Sequence, residues 1–311
     1  MRGVARIGRA LALGTLALLG LLALAALAIG AAFIRLNRTN GEIVSSGEKR
    51  SFLVYVPSSY EPATPTPLVI SLHGFVEWPA HQMEISHWND LAEEDGFIVV
   101  YPEGTGLPRR WRAGDPSQGA SEPDIVFISD LIDELAREYS IDLTRVYANG
   151  LSNGGGMAYL LGCALADRLA AVGGVAGAYV YPLEACQPSR PVPMIVFHGT
   201  ADAIVPYPGG TSRHPGMPLP SIPEWVSARA GLNGCDAVPT DLPATGEVTG
   251  VRYSGCDRGA EVDFYTIEGG GHSWPGGQPM PEWIVGRTTQ DIDATRMMWE
   301  FFRRFSTGDS Q

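Results

Sequence analysis

The motif GLSNG at residues 150–154 places Ser152 on a turn between a strand-like run at Arg145–Ala148 and a helical pattern at Asn153–Ala166. A G-x-S-x-G motif between a strand and a helix forms a strained turn that lifts the serine hydroxyl above the edge of a sheet. Its glycines are needed because side chains there would collide with neighbouring elements. The following helix aims its first N–H groups at the same point. The motif predicts a nucleophilic serine; the alternative is a serine that only caps the helix.

Short apolar runs alternate with longer helical patterns over the rest of the chain. The predicted strands are Phe52–Val56, Leu68–Leu72, Phe97–Tyr101, Arg145–Ala148, Ala170–Val175, Met194–Phe197 and Val262–Ile267. The predicted helices are Gln82–Glu94, Ser121–Tyr139, Asn153–Ala166, Ile222–Ala230 and Gln290–Phe305. Ser121 and Asp124 match a capping box at the start of their helix. The alternation predicts one α/β domain over residues 41–311, with a mostly parallel sheet and helices on both faces.

A serine hydroxyl needs a base to accept its proton, and the base needs an acid partner. His272 follows the last predicted strand in a glycine-rich loop, and Asp202 follows the strand before that one. Both would lie at the same sheet edge as Ser152. His198 is another histidine near the sheet edge, but it ends its strand and is expected in the core near the acid. Asp263 is the rival candidate for the acid, but it lies inside a strand pattern. The order Ser152, Asp202, His272 is that of the α/β-hydrolases and predicts a catalytic triad.

An oxyanion hole needs two backbone N–H groups directed at the charge that develops during the reaction. The N–H of Asn153, directly after the serine, is the first candidate by position. The segment LHGFVEW follows the strand Leu68–Leu72 and offers the N–H of Phe75 as the second. His73 would shape this turn and contact the substrate; a role as a second catalytic base is the alternative.

Three segments carry a resemblance to a known family: HGTADAIVPYPGG, NGLSNGGGMAYLLGC and IEGGGHSWPGG. They resemble the secreted polyhydroxybutyrate depolymerase and feruloyl/acetyl-xylan esterase group of α/β-hydrolases, which is similar to carbohydrate esterase family one. The resemblance implies the α/β-hydrolase fold and the triad of Ser152, Asp202 and His272. It also implies that Trp274 lines the acyl site beside the base; the alternative for Trp274 is core packing.

The first forty residues form a separate unit with five arginines and no acidic residue. An apolar run at Ala10–Ile34 is long enough to span a bilayer as a helix. We predict an uncleaved membrane anchor; a cleaved signal peptide with Ala26-Leu27-Ala28 as its cleavage site stays open. Both readings place the rest of the chain outside the cytoplasm.

The chain contains four cysteines, and an even number in an exported protein indicates two disulfides. We favour the sequential pairs Cys163–Cys186 and Cys235–Cys256. Other pairings and four free buried thiols are the alternatives. No C-x-x-C pair occurs, which argues against a zinc site.

The charge balance excludes one class of partner. The chain has 22 basic and 34 acidic residues, for a formal net charge of −12. Without a basic stripe to neutralise phosphates, nucleic-acid binding is not expected. The motifs call for no metal or organic cofactor, and they leave the oligomeric state open.

These features together predict an exported serine esterase that forms an acyl-enzyme on Ser152. Its expected substrates are short-chain, hydroxyalkanoate or feruloyl/acetyl esters, either small or polymeric. A serine peptidase on the same fold and a non-catalytic binding module are the alternatives. The sequence contains no long apolar insertion of the kind that forms a lid over an active site, so we expect an open site. Trp274, Trp78 and Trp111 would rim this site and supply contact area for short or aromatic acyl groups.

Overall fold

The computed structural model describes residues 14–15, 18–28, 30–31, 35, 37–114, 119–211 and 218–308. The chain divides into two units, Met1–Arg38 and Thr39–Gln311. In the first unit, residues 18–28 are helical. None of the helices in the described part of the chain is long and apolar enough to cross a membrane. The anchor predicted over residues 10–34 includes positions outside the described residues.

The second unit contains strands and helices in alternation. The strands are β1 (Gly41–Ser45), β2 (Glu48–Tyr55), β3 (Thr66–Leu72), β4 (Ile98–Pro102), β5 (Ile141–Leu151), β6 (Ala171–Val175), β7 (Met194–Gly199), β8 (Gly210–Thr211), β9 (Pro218–Leu219), β10 (Thr240–Thr245), β11 (Val248–Tyr253) and β12 (Val262–Ile267). The helices are α1 (Pro79–Ser86), α2 (Trp88–Asp95), α3 (Glu122–Glu138), α4 (Asn153–Ala164), α5 (Ile222–Leu232), α6 (Glu282–Val285) and α7 (Ala294–Phe302).

Ten strands form one sheet in the order β1-β2-β4-β3-β5-β6-β7-β12-β11-β10. The six central strands from β4 to β12 pair in parallel, and the two outer strands at each end pair antiparallel. Parallel pairing brings the carboxyl ends of the central strands to one edge. The chain reverses its direction of winding at β3 and β5, and ligands of open α/β sheets bind at such a switch point.

The sheet is covered on both faces. Leu68, Ile70 and Leu72 of β3 belong to one buried cluster, and Val69 belongs to the other. Helices α3, α4 and α5 contribute to the first cluster, and α1, α2 and α7 contribute to the second. This alternation follows from the two-residue period of a strand. The predicted mostly parallel α/β sheet with helices on both faces is confirmed.

Three strands of the large sheet and one helix break were not predicted from the sequence. β10 is mostly exposed, so its residues show no apolar run, and β1 and β11 are also outer strands. The predicted helix Gln82–Glu94 is wrong as one element, because His87 takes a left-handed conformation with φ of 56° between α1 and α2.

Both predicted disulfides are confirmed. Cys163 of α4 is bonded to Cys186, and Cys235 is bonded to Cys256, which lies between β11 and β12. Cys163 and Cys186 contact the cluster on the α4 face of the sheet. The first bond therefore ties a loop to α4, and the second joins the loop after α5 to the loop between β11 and β12.

Candidate active site

The three residues of the predicted triad follow three of the central parallel strands, at the same sheet edge. Ser152 follows β5, Asp202 lies after β7, and His272 lies after β12. Backbone hydrogen bonds link the ends of these strands across the edge. The N–H of Ser152 donates to Val175 O over 2.9 Å, and the N–H of Thr200 donates to Ile267 O over 2.9 Å. The pairing of the strands therefore brings the loops after β5, β7 and β12 to the same edge of the sheet.

Ser152 stands on a strained turn. Its φ of 57° and ψ of −117° lie outside the regions that residues with a side chain prefer. Gly150 and Gly154 make the turn possible, because a Cβ on Gly150 would lie 2.4 Å from the Gly154 backbone. A Cβ on Gly154 would lie 2.2 Å from Leu72 O. The close approach of β3, β5 and α4 thus explains both glycines.

His272 and Asp202 form a buried hydrogen-bonded pair. His272 Nδ1 lies 2.7 Å from Asp202 Oδ2. The carboxylate is an acceptor, so Nδ1 carries the hydrogen and Nε2 is left to accept a proton. Asp202 Oδ1 accepts the backbone N–H groups of Ile204 and Val205, each over 2.8 Å. The acid therefore fixes both the ring and its tautomer.

The charge of Asp202 is stabilised although the side chain is buried. Burial by itself raises the pKa of this carboxyl group, but its interactions with His272 and His198 outweigh the effect of burial. The net effect lowers the pKa of Asp202 well below its ordinary value. Asp202 is consequently an anion throughout the neutral range.

The structure joins the base to the acid but not to the serine. Within residues 37–114, 119–211 and 218–308, no hydrogen bond connects the Ser152 hydroxyl to His272. Catalytic hydrogen bonds in ligand-free sites are often long and tighten when substrate binds. The triad as a working unit therefore stays a prediction.

The loop predicted to supply an oxyanion-hole donor is braced by distant residues. Asn153 is the first residue of α4, so its backbone N–H has no acceptor within the helix. Its side-chain Oδ1 accepts the N–H of Trp111 over 2.7 Å, and its Nδ2 donates to Trp111 O over 3.0 Å. The Trp111 indole in turn donates to His73 O over 3.0 Å, beside the partly buried Phe75.

Sequence reasoning did not identify the Asn153 side chain, Trp111 or Glu77 as supports of this loop. Glu77 accepts the N–H of Gly74 over 2.9 Å. Asn153 and Trp111 are separated by 42 positions, and a single sequence carries no signal that pairs them.

His73 is buried, whereas a residue that contacts the substrate needs an exposed side chain. The side chain has no exposed surface, and both ring nitrogens are engaged. Nδ1 donates to Gly74 O over 2.7 Å, and Nε2 accepts the N–H of Gly104 over 3.0 Å. Burial lowers the pKa of His73 to about 4, so the ring is neutral. These contacts favour a positioning role in the loop over the predicted roles in substrate binding or as a second base.

The burial of the predicted rim tryptophans corrects another expectation. Trp274 is 2% exposed, and its indole donates to Thr295 Oγ1 over 2.9 Å, which favours the core-packing alternative. Trp111 is fully buried. Trp78 is partly exposed. Apolar residues in a glycine-rich loop can line a site or fill the core, and the sequence pattern is the same for both.

His73 should make the stability of the protein depend on pH. Its pKa in the folded state, about 4, lies below its ordinary value of 6.5, so the unfolded chain takes up a proton first as the pH falls. The contribution is fully present above about pH 6.5 and is lost as the pH falls towards 4. From about pH 7 to pH 5 we expect the free energy of unfolding to fall by roughly 2 kcal/mol through this group.

Urea unfolding at both pH values checks this in the wild type and in His73→Gln, whose pH dependence should be flatter. His87→Asn is the matched control, because His87 is exposed and asparagine tolerates its left-handed conformation. Equal pH dependence in the wild type and His73→Gln would contradict the prediction.

Among the described residues, no group of three or more His, Cys, Asp and Glu side chains is placed to hold a metal ion.

A central parallel sheet of this order, with helices on both faces and a serine turn after β5, defines an α/β-hydrolase. An acetyl xylan esterase from Aspergillus awamori has a similar fold, with a TM-score of 0.57 at 17% identity. The aligned part covers 85% of this chain and 98% of that one. Residues 50–206, slightly more than half of the chain, match the family model described as Esterase PHB depolymerase. The chain belongs to this family, as the sequence resemblance predicted.

Two curated relatives have names that describe ester hydrolysis. A bifunctional acetylxylan esterase/xylanase of Neocallimastix patriciarum is 31% identical over 232 residues, which cover 73% of this chain and 31% of that protein. Feruloyl esterase B of Piromyces equi is 30% identical over 269 residues, which cover 83% of this chain and 45% of that protein. The chain therefore spans less than half the length of these two relatives.

Proposed function

We propose that this protein is a serine esterase that hydrolyses carboxylic esters through an acyl-enzyme on Ser152. The observation that carries the proposal is the arrangement at one sheet edge of a strained serine turn and a buried His272–Asp202 pair. Membership of the esterase PHB depolymerase family and the names of the two relatives support ester hydrolysis as the reaction.

In the proposed mechanism, Ser152 Oγ attacks the ester carbonyl carbon while His272 Nε2 accepts the hydroxyl proton. The N–H groups of Phe75 and Asn153 stabilise the oxyanion of the tetrahedral intermediate. The intermediate collapses, and the leaving alcohol takes the proton from His272. Water then attacks the acyl-enzyme with His272 again as base, which releases the carboxylic acid. Asp202 holds the His272 ring and stabilises its charged form.

The proposed substrates are esters with short or aromatic acyl groups. Aromatic side chains near the site support this class, because they supply rigid contact area for small rings. Phe75 and Trp78 are partly exposed on the loop after β3. Trp283 is 84% exposed on α6, whose Val285 carbonyl accepts the N–H of His272. The long apolar trough that a fatty acyl chain needs is not suggested by the sequence.

A substrate panel tests the proposal. We expect p-nitrophenyl acetate, p-nitrophenyl butyrate or methyl ferulate to be cleaved with kcat/KM at least about tenfold above p-nitrophenyl palmitate and peptide p-nitroanilides. The same panel with Ser152→Ala controls for hydrolysis that does not use the site. If palmitate is the best substrate, the protein is a lipase; if a peptide amide is best, it is a peptidase, and the proposed function fails.

The same proposal places the enzyme outside the cytoplasm. The two disulfides support export, because such bonds persist in oxidising compartments. The anchor hypothesis predicts that the exported protein keeps its N-terminal apolar run. N-terminal sequencing of protein recovered from the membrane fraction checks this: a start near Met1 is expected, and a start near Ile29 in soluble exported protein would show cleavage instead.

A further inference from the structure

A second histidine contacts the buried acid. His198, the fifth residue of β7, places its Nε2 3.4 Å from Asp202 Oδ2 and 2.9 Å from Val205 O. Both neighbours are acceptors, so Nε2 carries a hydrogen. Nε2 donates this hydrogen to Val205 O, and Asp202 Oδ2 lies within ion-pair distance of the same nitrogen. The side chain is 1% exposed, and within the described residues its Nδ1 is buried with no hydrogen-bond partner. A second proton there would leave a buried donor unpaired, which favours the neutral ring.

His198 completes the set of donors around Asp202. Two backbone N–H groups, those of Ile204 and Val205, bind Oδ1. His272 and His198 both approach Oδ2. An ionised carboxylate has about four acceptor positions, so this set leaves little freedom for the group to rotate. Oδ2 is thereby held towards His272.

A neutral donor suits this position better than a cation. A positive charge beneath Asp202 would compete with the imidazolium form of His272 for the same carboxylate. Other groups also face the His198 ring: the Tyr207 ring lies 6.1 Å away, and Thr266 is its register partner on β12. Arg287 lines the small cavity beside His198, and its guanidinium pairs with Glu247.

We propose that His198 is a positioning residue for the acid of the triad: as a neutral Nε2–H donor it orients Asp202 Oδ2 towards His272 without neutralising the carboxylate. The role rests on the proposed function, in which Asp202 orients the general base.

Three substitutions separate this role from a merely structural one. His198→Phe keeps a ring but removes the donor. His198→Gln keeps an N–H at the reach of Nε2, whereas His198→Asn has its amide at the reach of Nδ1 and loses the contact. His87→Asn is the matched control on an exposed histidine. The Gln and Asn pair keeps the test informative if the Phe variant does not fold.

The first readout is the pH profile of kcat/KM for p-nitrophenyl acetate. Without the donor, Oδ2 is no longer held towards His272 and stabilises the protonated form of that ring less, so the midpoint of the acidic limb should fall by about half a pH unit or more. We expect kcat to fall about tenfold or more through misplacement of the acid, with KM nearly unchanged. His198→Phe and His198→Asn should show both effects, and His198→Gln should show neither.

The second readout does not depend on activity. The far-downfield proton resonance of the His272–Asp202 hydrogen bond, followed by NMR as the pH is varied, should titrate at lower pH in His198→Phe and His198→Asn only. An unchanged midpoint in those two variants would overturn the positioning role even if their activity falls. Loss of the proposed function has a different signature, namely esterase activity that survives Ser152→Ala.

Discussion

Replacement of Ser152 by alanine should abolish esterase activity while the protein stays folded. The base then has no nucleophile to activate, and we expect kcat for p-nitrophenyl acetate to fall by about a thousandfold or more. The turn accepts alanine as it accepts serine, because the backbone strain at φ of 57° is the same for both residues. No hydrogen bond of the serine hydroxyl is recorded among the described residues, so the melting temperature should change little.

Ser227→Ala is the matched control for this prediction. Ser227 is an exposed serine on α5, and its replacement should change neither kcat nor the melting temperature. A Ser152→Ala variant that keeps more than about a tenth of the wild-type kcat would refute the nucleophile assignment.

Replacement of Asp202 by asparagine should have an effect of similar size. The amide oxygen is expected to keep the two backbone N–H groups of Ile204 and Val205, which leaves the amide NH₂ facing His272 Nδ1. Two donors then oppose each other, and His272 must turn to the wrong tautomer or lose the contact. We expect kcat to fall by roughly a thousandfold to ten-thousandfold with the fold retained.

The control for this prediction is Asp263→Asn. Asp263 is a buried aspartate at the start of β12, and both of its carboxylate oxygens bind Arg252, over 2.8 and 2.7 Å. Its replacement should lower stability and leave kcat nearly unchanged. If Asp263→Asn reduced kcat as much as Asp202→Asn, the acid of the triad would be wrongly assigned.

The sequence was sufficient for the central strands because each is a buried apolar run. It was also sufficient to place Ser152, Asp202 and His272 after parallel strands at one sheet edge, since the carboxyl ends of such strands lie together. The strands β1, β10 and β11 were missed because at least one exposed residue interrupts each of them, so none shows an unbroken apolar run. The helix breaks at His87 because this residue takes a left-handed conformation. Glycine or asparagine at that position would have indicated the break, but histidine does not.

The start of α3 shows how a local motif can be overridden by tertiary contacts. Ser121 and Asp124 match a capping box, but the Ser121 side chain makes no cap and instead accepts the N–H of Gly114 over 3.1 Å. Asp124 accepts the N–H of Arg112 over 2.9 Å and pairs with the buried Arg50 over 2.9 Å. The predicted helix is correct, whereas the predicted reason for its start is wrong.

The predicted roles of His73 and Trp274 depended on which way a loop side chain points. A glycine-rich loop beside an active site holds residues that contact substrate and residues that anchor the loop, and their order along the chain does not distinguish them. Full burial of His73 and the Trp274–Thr295 hydrogen bond give these residues anchoring roles. Long-range contacts of this kind carry no signal in one sequence.

Labelling with a fluorophosphonate shows directly whether Ser152 is an activated nucleophile, because such reagents react covalently with an activated serine. The wild-type protein is treated at neutral pH, its intact mass is measured, and the modified peptide is sequenced by mass spectrometry. We expect a single adduct on Ser152, a parallel loss of esterase activity, and no adduct in Ser152→Ala. An adduct on a different serine, or full esterase activity in protein labelled at Ser152, would contradict it.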